Sequence, residues 1–391
     1  MKFSGMTIGV PTEIMPGERR VSSTPETVKK MVDQGAKVLV QKGAGEGSFF
    51  SDDQYRAAGA QLVDREDQIF EEADVILKVK EPLFNDKLNK HESDMLREGQ
   101  YLITFLHPAA PVNRDSMKKL RDTGAISLTL DGIPRISRAQ AMDALTSMST
   151  VAGYKGVLMA ADTLAKFLPM TGTAVGVIQP AKVVVIGAGV AGLQAIATAK
   201  RLGAEVTAVD IRPDAIEFAK SAGAKQSLDP GVPKEVAMGE GGYAQRLPKE
   251  WLDKEIEFLK PIVKDADIVI LTALIPGKEA PVLITDEMVK SMKPGSVIID
   301  IAIDQGGNCA VTKPGEEIEY NGVKVSGVKN IPGMMPTSST WMFANNIYNL
   351  LAYLSDEGKI KLDREDPIVK SSLTTIDKKI VHAGANEAGL N

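Results

Sequence analysis

The chain has few of the residues that build disulfides and metal sites. Its single cysteine, Cys309, excludes an intramolecular disulfide and suits a reducing cytoplasm. The three histidines, His91, His107 and His382, lack the spacing of metal ligands, so no metal site is expected. No apolar run approaches the roughly 18 residues that cross a bilayer. The net charge of −5 argues against a protein that binds nucleic acid or an anionic membrane surface.

What the chain does have is length and a regular alternation of apolar patterns. With 391 residues, of which 43% are hydrophobic, it is too long for one typical core, and two domains are expected. Strand-like runs alternate with helical patterns, which predicts an α/β fold with parallel sheets. The predicted strands are 7–10, 37–40, 60–63, 75–78, 101–105 and 125–128, followed by 182–186, 205–209, 267–272, 296–301 and 323–326.

Helices are expected to join the two domains. One is predicted to begin at Ser137, because Ser137 and Gln140 have the spacing of a capping box. Another is predicted from about residue 341 to 354 and is expected to return to the first domain. The polar tail from Ser355 is expected to fray or to act as a tether.

A glycine-rich turn at residues 187–192 is the most informative motif. It reads Gly-Ala-Gly-Val-Ala-Gly and connects a predicted strand to a predicted helix. In a dinucleotide site, Gly187 would permit the tight turn, Gly189 would let the backbone approach a pyrophosphate, and Gly192 would let the helix pack closely. The helix N-terminus would offer N–H groups to the phosphates. An ordinary strand–helix turn is the alternative.

An acid follows the next predicted strand, as such a site requires. Asp210 lies at the sequence distance where a carboxylate accepts hydrogen bonds from a ribose 2′-OH, which favours NAD over NADP. Arg212 would soften that preference. Because strand, turn, helix and acid all occur together, we interpret the motif as a dinucleotide site.

A dispersed polar set could form a small-acid site. Arg20, Lys78 and His107 fall in the first domain, and Lys78 and His107 follow predicted strands. Asp304 follows a strand of the second domain and could face them across a cleft. A lysine and an arginine would hold a carboxylate, the histidine would move a proton, and the aspartate would complete the site. The alternative is that these are solvated or capping residues.

A second polar set lies near the predicted domain junction. Gln140 and Asp143 share a helix face, and Arg135 could reach back to Asp143, with Thr146 one turn further on. An Arg–Asp pair beside a dinucleotide would hold a carboxamide or a ribose. The alternative is a capping box with a surface ion pair.

The segment 227–251 has no strong pattern and is rich in proline and glycine. It is therefore expected to be a mobile functional loop or to be disordered. Tyr243 follows Gly241 and Gly242 there, and could stack on a bound cofactor or hydrogen-bond to it. An incidental tyrosine in a disordered loop is the alternative.

Four stretches resemble the NAD-binding alpha subunit of proton-translocating NAD(P) transhydrogenase. They are residues 134–140, 187–193, 241–244 and 272–278. The resemblance covers nearly the whole chain in order. The junction stretch 134–140 and the tyrosine stretch 241–244 are specific to this family, whereas the glycine motif alone is not.

This resemblance implies two Rossmann-like domains with parallel sheets joined by long helices. The first would be discontinuous, residues 1–136 with 331–391, and residues 137–330 would bind NAD. It also implies a homodimer that docks onto NADP-binding and membrane-spanning subunits, so that the chain is cytoplasmic and peripheral at the inner face of the plasma membrane. Hydride would pass directly between NADH and NADP⁺ on the partner, as in the Re/Si-specific enzyme, coupled to proton translocation.

The same resemblance implies roles for individual residues. Arg135 and Asp143 would hold the nicotinamide end, Gln140 would reach the partner's nucleotide, and these three are the catalytic candidates. The further cofactor-binding candidates are Ile136, Ser137, Thr146, Gly187, Gly189, Val190, Gly192, Asp210, Ile211, Arg212, Gly242, Tyr243 and Leu274.

Other stretches, residues 77–82, 105–107 and 302–307, resemble alanine dehydrogenase, a close relative. In that enzyme the positions matching Arg20 and Lys78 bind the amino or keto acid, and those matching His107 and Asp304 serve proton transfer and cofactor contact. A free-standing NAD-dependent alanine dehydrogenase is therefore the alternative function. The junction stretch favours transhydrogenase. An NAD-binding regulatory subunit without turnover is a third interpretation, which nothing in the sequence favours.

Overall fold

The computed structural model of the chain describes residues 1–110, 113–239, 244–275 and 279–387. The chain forms two compact units, each built on one large sheet. The first unit comprises Met1–Met148 and the chain from Gly333 onward, and the second comprises Ser149–Pro332. None of the described helices is long and apolar enough to span a membrane.

The amino-terminal segment of the first unit alternates strands and helices. Its strands are β1 (Thr7–Val10), β2 (Lys37–Gln41), β3 (Gln61–Val63), β4 (Val75–Leu77), β5 (Phe84–Asn85), β6 (Lys90–His91), β7 (Tyr101–Thr104) and β8 (Ile126–Thr129). Its helices are α1 (Pro25–Asp33), α2 (Asp52–Ala57), α3 (Glu66–Glu72) and α4 (Arg114–Thr123), with 3-10 turns at Glu46–Ser48, Glu92–Met95 and Ser137–Met142.

The second unit is entered through a long helix and left through a 3-10 turn. Its strands are β9 (Thr171–Thr173), β10 (Gly176–Ile178), β11 (Lys182–Ile186), β12 (Glu205–Val209), β13 (Gln226–Leu228), β14 (Ile268–Leu271), β15 (Val297–Asp300), β16 (Glu317–Tyr320) and β17 (Val323–Ser326). The helices are α5 (Ala144–Thr163), α6 (Val190–Arg201), α7 (Pro213–Ala222), α8 (Lys234–Ala237), α9 (Lys249–Lys264) and α10 (Asp286–Ser291), with 3-10 turns at Ile301–Gln305 and Ile331–Met334.

The returning chain completes the first unit. It forms α11 (Pro336–Leu354), β18 (Ser355–Asp356), β19 (Lys359–Ile360), α12 (Pro367–Ser372), β20 (Leu373–Ile376), β21 (Lys379–Ile380) and α13 (Ala383–Glu387). Helix α11 packs Phe343, Ile347 and Leu350 into the core of the first unit. The expected return to the first domain is therefore observed.

The sheet of the first unit has the order β21-β20-β8-β7-β4-β1-β2-β3. Strands β8 to β3 are parallel, whereas β20 runs antiparallel to β8 and β21 antiparallel to β20. From β1 the chain moves outward through β2 and β3 on one side, and through β4, β7 and β8 on the other. The strand order therefore reverses between β1 and β4, the point where open α/β sheets bind ligands.

The sheet of the second unit has the order β13-β12-β11-β14-β15-β17-β16. All neighbours are parallel except β16, which runs antiparallel to β17 at the edge. Here the order reverses between β11 and β14. The α/β class with two parallel-rich sheets, predicted from the sequence, is confirmed.

Successive residues of the central strands enter cores on opposite faces of the sheet. In β4, Val75 and Leu77 are buried in one core of the first unit and Ile76 in the other. In β11, Val183 and Val184 likewise belong to the two different cores of the second unit. Because both faces are covered, these strands are apolar throughout rather than alternating with polar residues.

The first boundary between the two units lies after Met148, later in the chain than the boundary expected after residue 136. Ala139, Met142 and Ala144 are buried in the core of the first unit, and so is Met148. Helix α5 therefore begins in the first unit and continues into the second.

Two segments that were expected to be irregular contain regular structure. The tail does not simply fray, because β20 pairs with β8 and the hydroxyl groups of Ser127 and Thr375 lie 2.7 Å apart. The segment 227–251 contains α8 and the start of α9, and Met238 pairs with Ala244 in an antiparallel bridge. The pairing of β20 with β8 joins residues distant in sequence, which local patterns do not show, whereas the expected mobility of 227–251 stays a prediction.

Candidate functional site

The glycine turn at residues 187–192 lies at the switch point of the second sheet. It joins the carboxyl end of β11 to α6. Gly187 has a φ of +89°, and a Cβ there would lie 2.9 Å from the backbone nitrogen of Ala273. A Cβ on Gly192 would lie 1.9 Å from the carbonyl oxygen of Gly187. The fold itself therefore requires glycine at both positions.

Gly189 is different, because no described atom lies within 4 Å of the position its Cβ would take. It is the N-cap of α6, and its carbonyl accepts a hydrogen bond from the N–H of Leu193 at 2.8 Å. Open space beside a helix N-terminus suits a phosphate group, since the backbone N–H groups and the helix dipole favour an anion. The turn therefore fits the pyrophosphate of a dinucleotide.

Two side chains that were not among the predicted site residues brace this turn and the segment beside it. The hydroxyl of Thr272 donates to the carbonyl of Gly187 at 2.6 Å. The amide of Asn308, which is fully buried, donates to the carbonyl of Ala273 at 2.9 Å and accepts from its N–H at 3.0 Å. The half-buried Leu274 comes next in this braced segment. Thr272 stood at the end of a predicted strand and within the resembling stretch 272–278, whereas Asn308 had no sequence signal.

Asp210 lies directly after β12, behind the glycine turn. It is 6% exposed, and its Oδ2 accepts the N–H of Ala188 at 2.7 Å. Oδ1 accepts the backbone N–H of Arg212 at 2.8 Å. The guanidinium of Arg212 also donates to both oxygens. The acid expected to bind a ribose is thus next to the turn, and it already carries internal hydrogen bonds.

A second acid, Glu255 of α9, lies near Asp210. It is almost fully buried. Burial, together with the negative charge of Asp210, raises the pKa of Glu255 to about 7. No sequence pattern drew attention to this residue, because it is one of many glutamates on a charged helix.

Of the remaining cofactor-binding candidates in the second unit, the structure describes some and not others. Val190 begins α6 and Ile211 follows Asp210, and both are half-buried. Gly242 and Tyr243 lie outside the described residues, as does 276–278 of the resembling stretch. The roles predicted for them stay predictions.

The capping box expected at Ser137 was wrong. Ile136 is the N-cap of the 3-10 turn that Ser137 begins, and it supplies no side-chain hydrogen bond. The cap belongs to α5: Oδ1 of Asp143 accepts the N–H of Thr146 at 2.8 Å, and the hydroxyl of Thr146 donates to Oδ2 at 2.7 Å. A carboxylate directly before the first α-helical turn is a strong cap, so the α-helix begins there.

The other junction residues remain accessible in the first unit. Arg135, Ser137 and Gln140 are exposed and Ile136 is half-buried. Because Asp143 is fixed by its cap, it presents a carboxylate of defined position at the start of α5. Their exposure allows contact with a ligand, and the roles predicted for them stay predictions.

A buried charged cluster stands at the switch point of the first sheet. Lys78 follows β4, and its Nζ lies 2.5 Å from Oε1 of Glu92 and 3.5 Å from Oε2 of Glu13. Burial alone would lower the pKa of Lys78, but the charges of the two glutamates outweigh it and raise the pKa. The lysine is therefore a paired, buried ammonium rather than a solvated one.

Arg20 is also buried and paired. Its Nε donates to Oε1 of Glu18 at 2.8 Å and its Nη2 to Oε2 at 2.6 Å, a two-bond arrangement. Burial would raise the pKa of Glu18, but these bonds outweigh it and lower the pKa to about 2. The pair therefore stays ionised across the neutral pH range.

His107, the third cation of the predicted set, is also paired with an acid. Its Nδ1 lies 2.6 Å from Oδ1 of Asp131, and Oδ2 accepts the backbone N–H of His107 at 2.7 Å. Burial would lower the pKa of His107, but Asp131 outweighs it and raises the pKa to about 9. The residue has a φ of +46°, a strained backbone for a non-glycine residue. The imidazole is therefore charged near neutral pH.

Asp304 belongs to the second unit. It is exposed, in the 3-10 turn that follows β15 of the second unit. Arg20, Lys78 and His107 all belong to the first unit. Within the first unit, the structure pairs each of these three cations with its own acid.

Sequence reasoning named the three cations but none of their partners. These partners are Glu13, Glu18, Glu92 and Asp131. The available signal was weak: Glu13 and Asp131 follow predicted strands closely, whereas Glu18 and Glu92 lie farther from any predicted strand. Such a signal is shared by many surface acids, so it does not identify a partner.

The chain is similar to known proteins over nearly its full length. One family model, described as "Alanine dehydrogenase/PNT, N-terminal domain", matches residues 9–152, and another, described as "Alanine dehydrogenase/PNT, C-terminal domain", matches residues 156–383. A relative from Rhodospirillum rubrum, named as the first portion of NAD(P) transhydrogenase subunit alpha, is 42% identical over 387 residues, which cover 98% of this chain and 100% of that protein.

Two solved structures extend the comparison. The transhydrogenase of Sinorhizobium meliloti is 36% identical with a TM-score of 0.80, over 96% of this chain and 99% of that one. A structure of L-alanine dehydrogenase is 29% identical with a TM-score of 0.81, over 99% of this chain and 100% of that one. The chain therefore belongs to the alanine dehydrogenase/PNT family.

Proposed function

We propose that this chain is the NAD(H)-binding subunit of a proton-pumping NAD(P) transhydrogenase. In this role it holds NADH for direct hydride transfer to NADP⁺ on a partner subunit. The observation that carries the proposal is the 42% identity, over nearly the whole of both chains, to a relative named as a portion of the alpha subunit of that enzyme. The glycine turn with Asp210 behind it supports the nucleotide aspect of the proposal.

The chain's own residues would bind and orient the nucleotide. The turn at Gly187–Gly192 and the N-terminus of α6 would hold the pyrophosphate, and Asp210 the adenosine ribose. Arg135 and Asp143 would hold the nicotinamide end, and Gln140 would align it with the partner's nucleotide. When bound, NADH supplies the hydride, so the protein contributes position and exclusion of water.

The remaining residues would line the same site. Ile136, Ser137 and Thr146 would lie at the nicotinamide end, and Val190, Ile211 and Arg212 at the pyrophosphate and adenosine end. Leu274 and Gly242 would border the cofactor, with Tyr243 on a mobile segment.

The proposal includes an assembly. The chain would form a homodimer and dock onto NADP-binding and membrane-spanning subunits. It would then be peripheral at the inner face of the plasma membrane, held there by its partners. The name of the Rhodospirillum rubrum relative, which describes one portion of an alpha subunit, supports a chain that works within a larger complex.

Alanine dehydrogenase is the second candidate, favoured by a TM-score of 0.81 to that enzyme and by the presence of Arg20, Lys78 and His107. However, each of these cations is already bonded to an internal carboxylate. A substrate acid would have to compete with a partner attached to the same chain. The charge arrangement therefore favours the transhydrogenase subunit.

The test begins with the isolated chain. NADH binding is measured by fluorescence, and NADH formation from NAD and L-alanine is then followed by absorbance. We expect binding without turnover. The chain is next combined with membranes that contain the NADP-binding subunit, and NADPH formation from NADH and NADP⁺ is measured. Turnover of L-alanine by the isolated chain would contradict the proposal, and so would binding without any hydride transfer to the partner.

A further inference from the structure

Asn308 is a fully buried asparagine in the second unit, a few residues beyond the carboxyl end of β15. Its carboxamide makes three hydrogen bonds. Oδ1 accepts the N–H of Ala273 at 3.0 Å, while Nδ2 donates to the carbonyl of Ala273 at 2.9 Å and to that of Pro281 at 2.8 Å. A buried amide with both of its hydrogens bonded in this way has a fixed orientation.

The carboxamide of Asn308 takes the place of a neighbouring strand. Strand β14 ends at Leu271, which pairs with Asp300 at the end of β15. Two residues further on, the side chain of Asn308 bonds both backbone groups of Ala273, as a peptide group of an adjacent strand does. The backbone is therefore held in place beyond the last residue of β14, as far as Ala273.

The backbone of Asn308 is fixed as well. Its N–H donates to Oδ2 of the fully buried Asp300 at 2.9 Å. Its carbonyl accepts the N–H of Leu283 at 2.8 Å and that of Ile284 at 3.0 Å. Because the backbone groups and the side chain of Asn308 are all bonded, the carboxamide holds Ala273 from a defined position.

Ala273 in turn lies against the glycine turn. A Cβ on Gly187 would lie 2.9 Å from the backbone nitrogen of Ala273, so the two backbones are in contact. The hydroxyl of Thr272 donates to the carbonyl of Gly187 at 2.6 Å. Leu274, a predicted cofactor-binding residue, follows Ala273 directly. A displacement of Ala273 would therefore move both the glycine turn and Leu274.

We propose that Asn308 is a positioning residue for NADH. Being fully buried, it acts through Ala273, which it holds against the glycine turn, and it thereby determines where the turn and Leu274 meet the nucleotide. A misplacement of about 1 Å in such a site can cost roughly a hundredfold in rate. The inference deepens the proposed function and rests on it, since it concerns the same nucleotide site. The alternative is an asparagine that only stabilises the fold.

The first test removes the carboxamide. Asn308→Ala loses the bonds to Ala273 and Pro281, so its Tm should fall and its Kd for NADH should rise roughly tenfold or more. Val289→Ala, which removes buried methyl groups from α10 of the same unit, is the matched control. Its Tm should also fall, but its Kd should stay within about twofold of that of the wild type.

Both variants are titrated with NADH at a temperature well below either Tm, so that the protein is folded throughout. A residue that only stabilises the fold would weaken binding no more than Val289 does. Equal affinities of the two variants would therefore overturn the proposal, and so would wild-type affinity in Asn308→Ala.

A second variant adds a pH-dependent measurement. Asn308→Asp keeps the shape of the side chain, but the new carboxyl group donates a hydrogen bond only while it is protonated. Its affinity for NADH should therefore fall as the pH rises from about 6 to about 8, because burial moves the pKa of a carboxyl group toward neutral pH. The wild type is measured at each pH for comparison, since the pKa of Glu255 is also raised to about 7. Wild-type affinity at the upper end of this range would contradict the proposal.

If Asn308→Ala does not fold, Asn308→Asp decides the matter. If neither variant yields folded protein, the role of Asn308 lies in folding and the positioning proposal fails. The wild type separates this inference from the proposed function. A wild type that does not bind NADH would refute both, whereas a wild type that binds NADH beside variants of unchanged affinity would refute only the inference.

Discussion

The guanidinium group of Arg212 donates to both carboxylate oxygens of Asp210, from Nε to Oδ1 at 3.1 Å and from Nη2 to Oδ2 at 3.0 Å. With the N–H groups of Ala188 and Arg212, these bonds use the roughly four lone-pair positions of a carboxylate. A ribose hydroxyl would reach Asp210 only by replacing one of them. Nucleotide binding is therefore expected to exchange an internal hydrogen bond for one to the ligand.

Asp210→Ala should weaken NADH binding by roughly tenfold or more, because a hydrogen bond to a charged acceptor is lost. Isothermal titration of NADH into wild type and variant measures the change. Asp214→Ala, which removes an exposed acid on α7, is the matched control and should bind as wild type does. Unchanged affinity in Asp210→Ala would contradict the dinucleotide interpretation of the turn.

Two glycines of the turn should behave differently. In Gly192→Ala the new Cβ would lie 1.9 Å from a carbonyl oxygen, so the variant should lose both stability and NADH binding. Gly189→Ala has open space for its Cβ, so it should keep the Tm of wild type and lose only binding. Thermal unfolding and NADH titration of both variants test this. Wild-type affinity in Gly189→Ala would show that the phosphates do not approach this position.

Gln140→Asn should slow hydride transfer more than it weakens NADH binding. The proposed role of this exposed side chain is alignment with the partner's nucleotide, which matters in the reacting complex rather than in binding. Single-turnover transfer in the reconstituted complex and NADH titration of the isolated chain give the two quantities. Equal losses in both would argue against an alignment role.

The His107–Asp131 pair should make stability depend on pH. Burial would lower the pKa of His107, but Asp131 raises it from 6.5 to about 9. The charged imidazole thus favours the folded state, and its contribution is complete below pH 6.5 and lost as the pH rises to about 9. Denaturant unfolding at several pH values should show this loss in wild type and not in Asp131→Asn.

The same pair is open to direct observation. With three histidines in the chain, the His107 resonances are readily assigned by NMR. In wild type they should titrate well above 6.5, and in Asp131→Asn the midpoint should fall. Titration of wild-type His107 near 6.5 would show that the ion pair does not form in solution.

Much of the fold followed from local pattern. The predicted strands 7–10, 182–186, 205–209 and 323–326 coincide with the strands of the structure. The strand Leu373–Ile376 in the tail was not predicted, because its short Leu-Thr-Thr-Ile pattern is weak by itself and the strand depends on pairing with β8. The α-helix is capped by Asp143 rather than by Ser137. Both residue types favour an N-cap, so the local pattern did not distinguish them. In the structure, Ala139 and Met142 lie buried in the 3-10 turn between the two residues.

What the sequence determined by itself was the order of strands and helices, the glycine turn and the acid behind it. These depend on hydrophobic periodicity and on backbone freedom, which are properties of neighbouring residues. The tertiary structure decided which acid each cation meets, since Lys78 with Glu92 and His107 with Asp131 are separated by intervening strands and turns. Such pairs form because removing a charge from water is costly unless an opposite charge lies beside it, and that partner has no fixed distance along the chain.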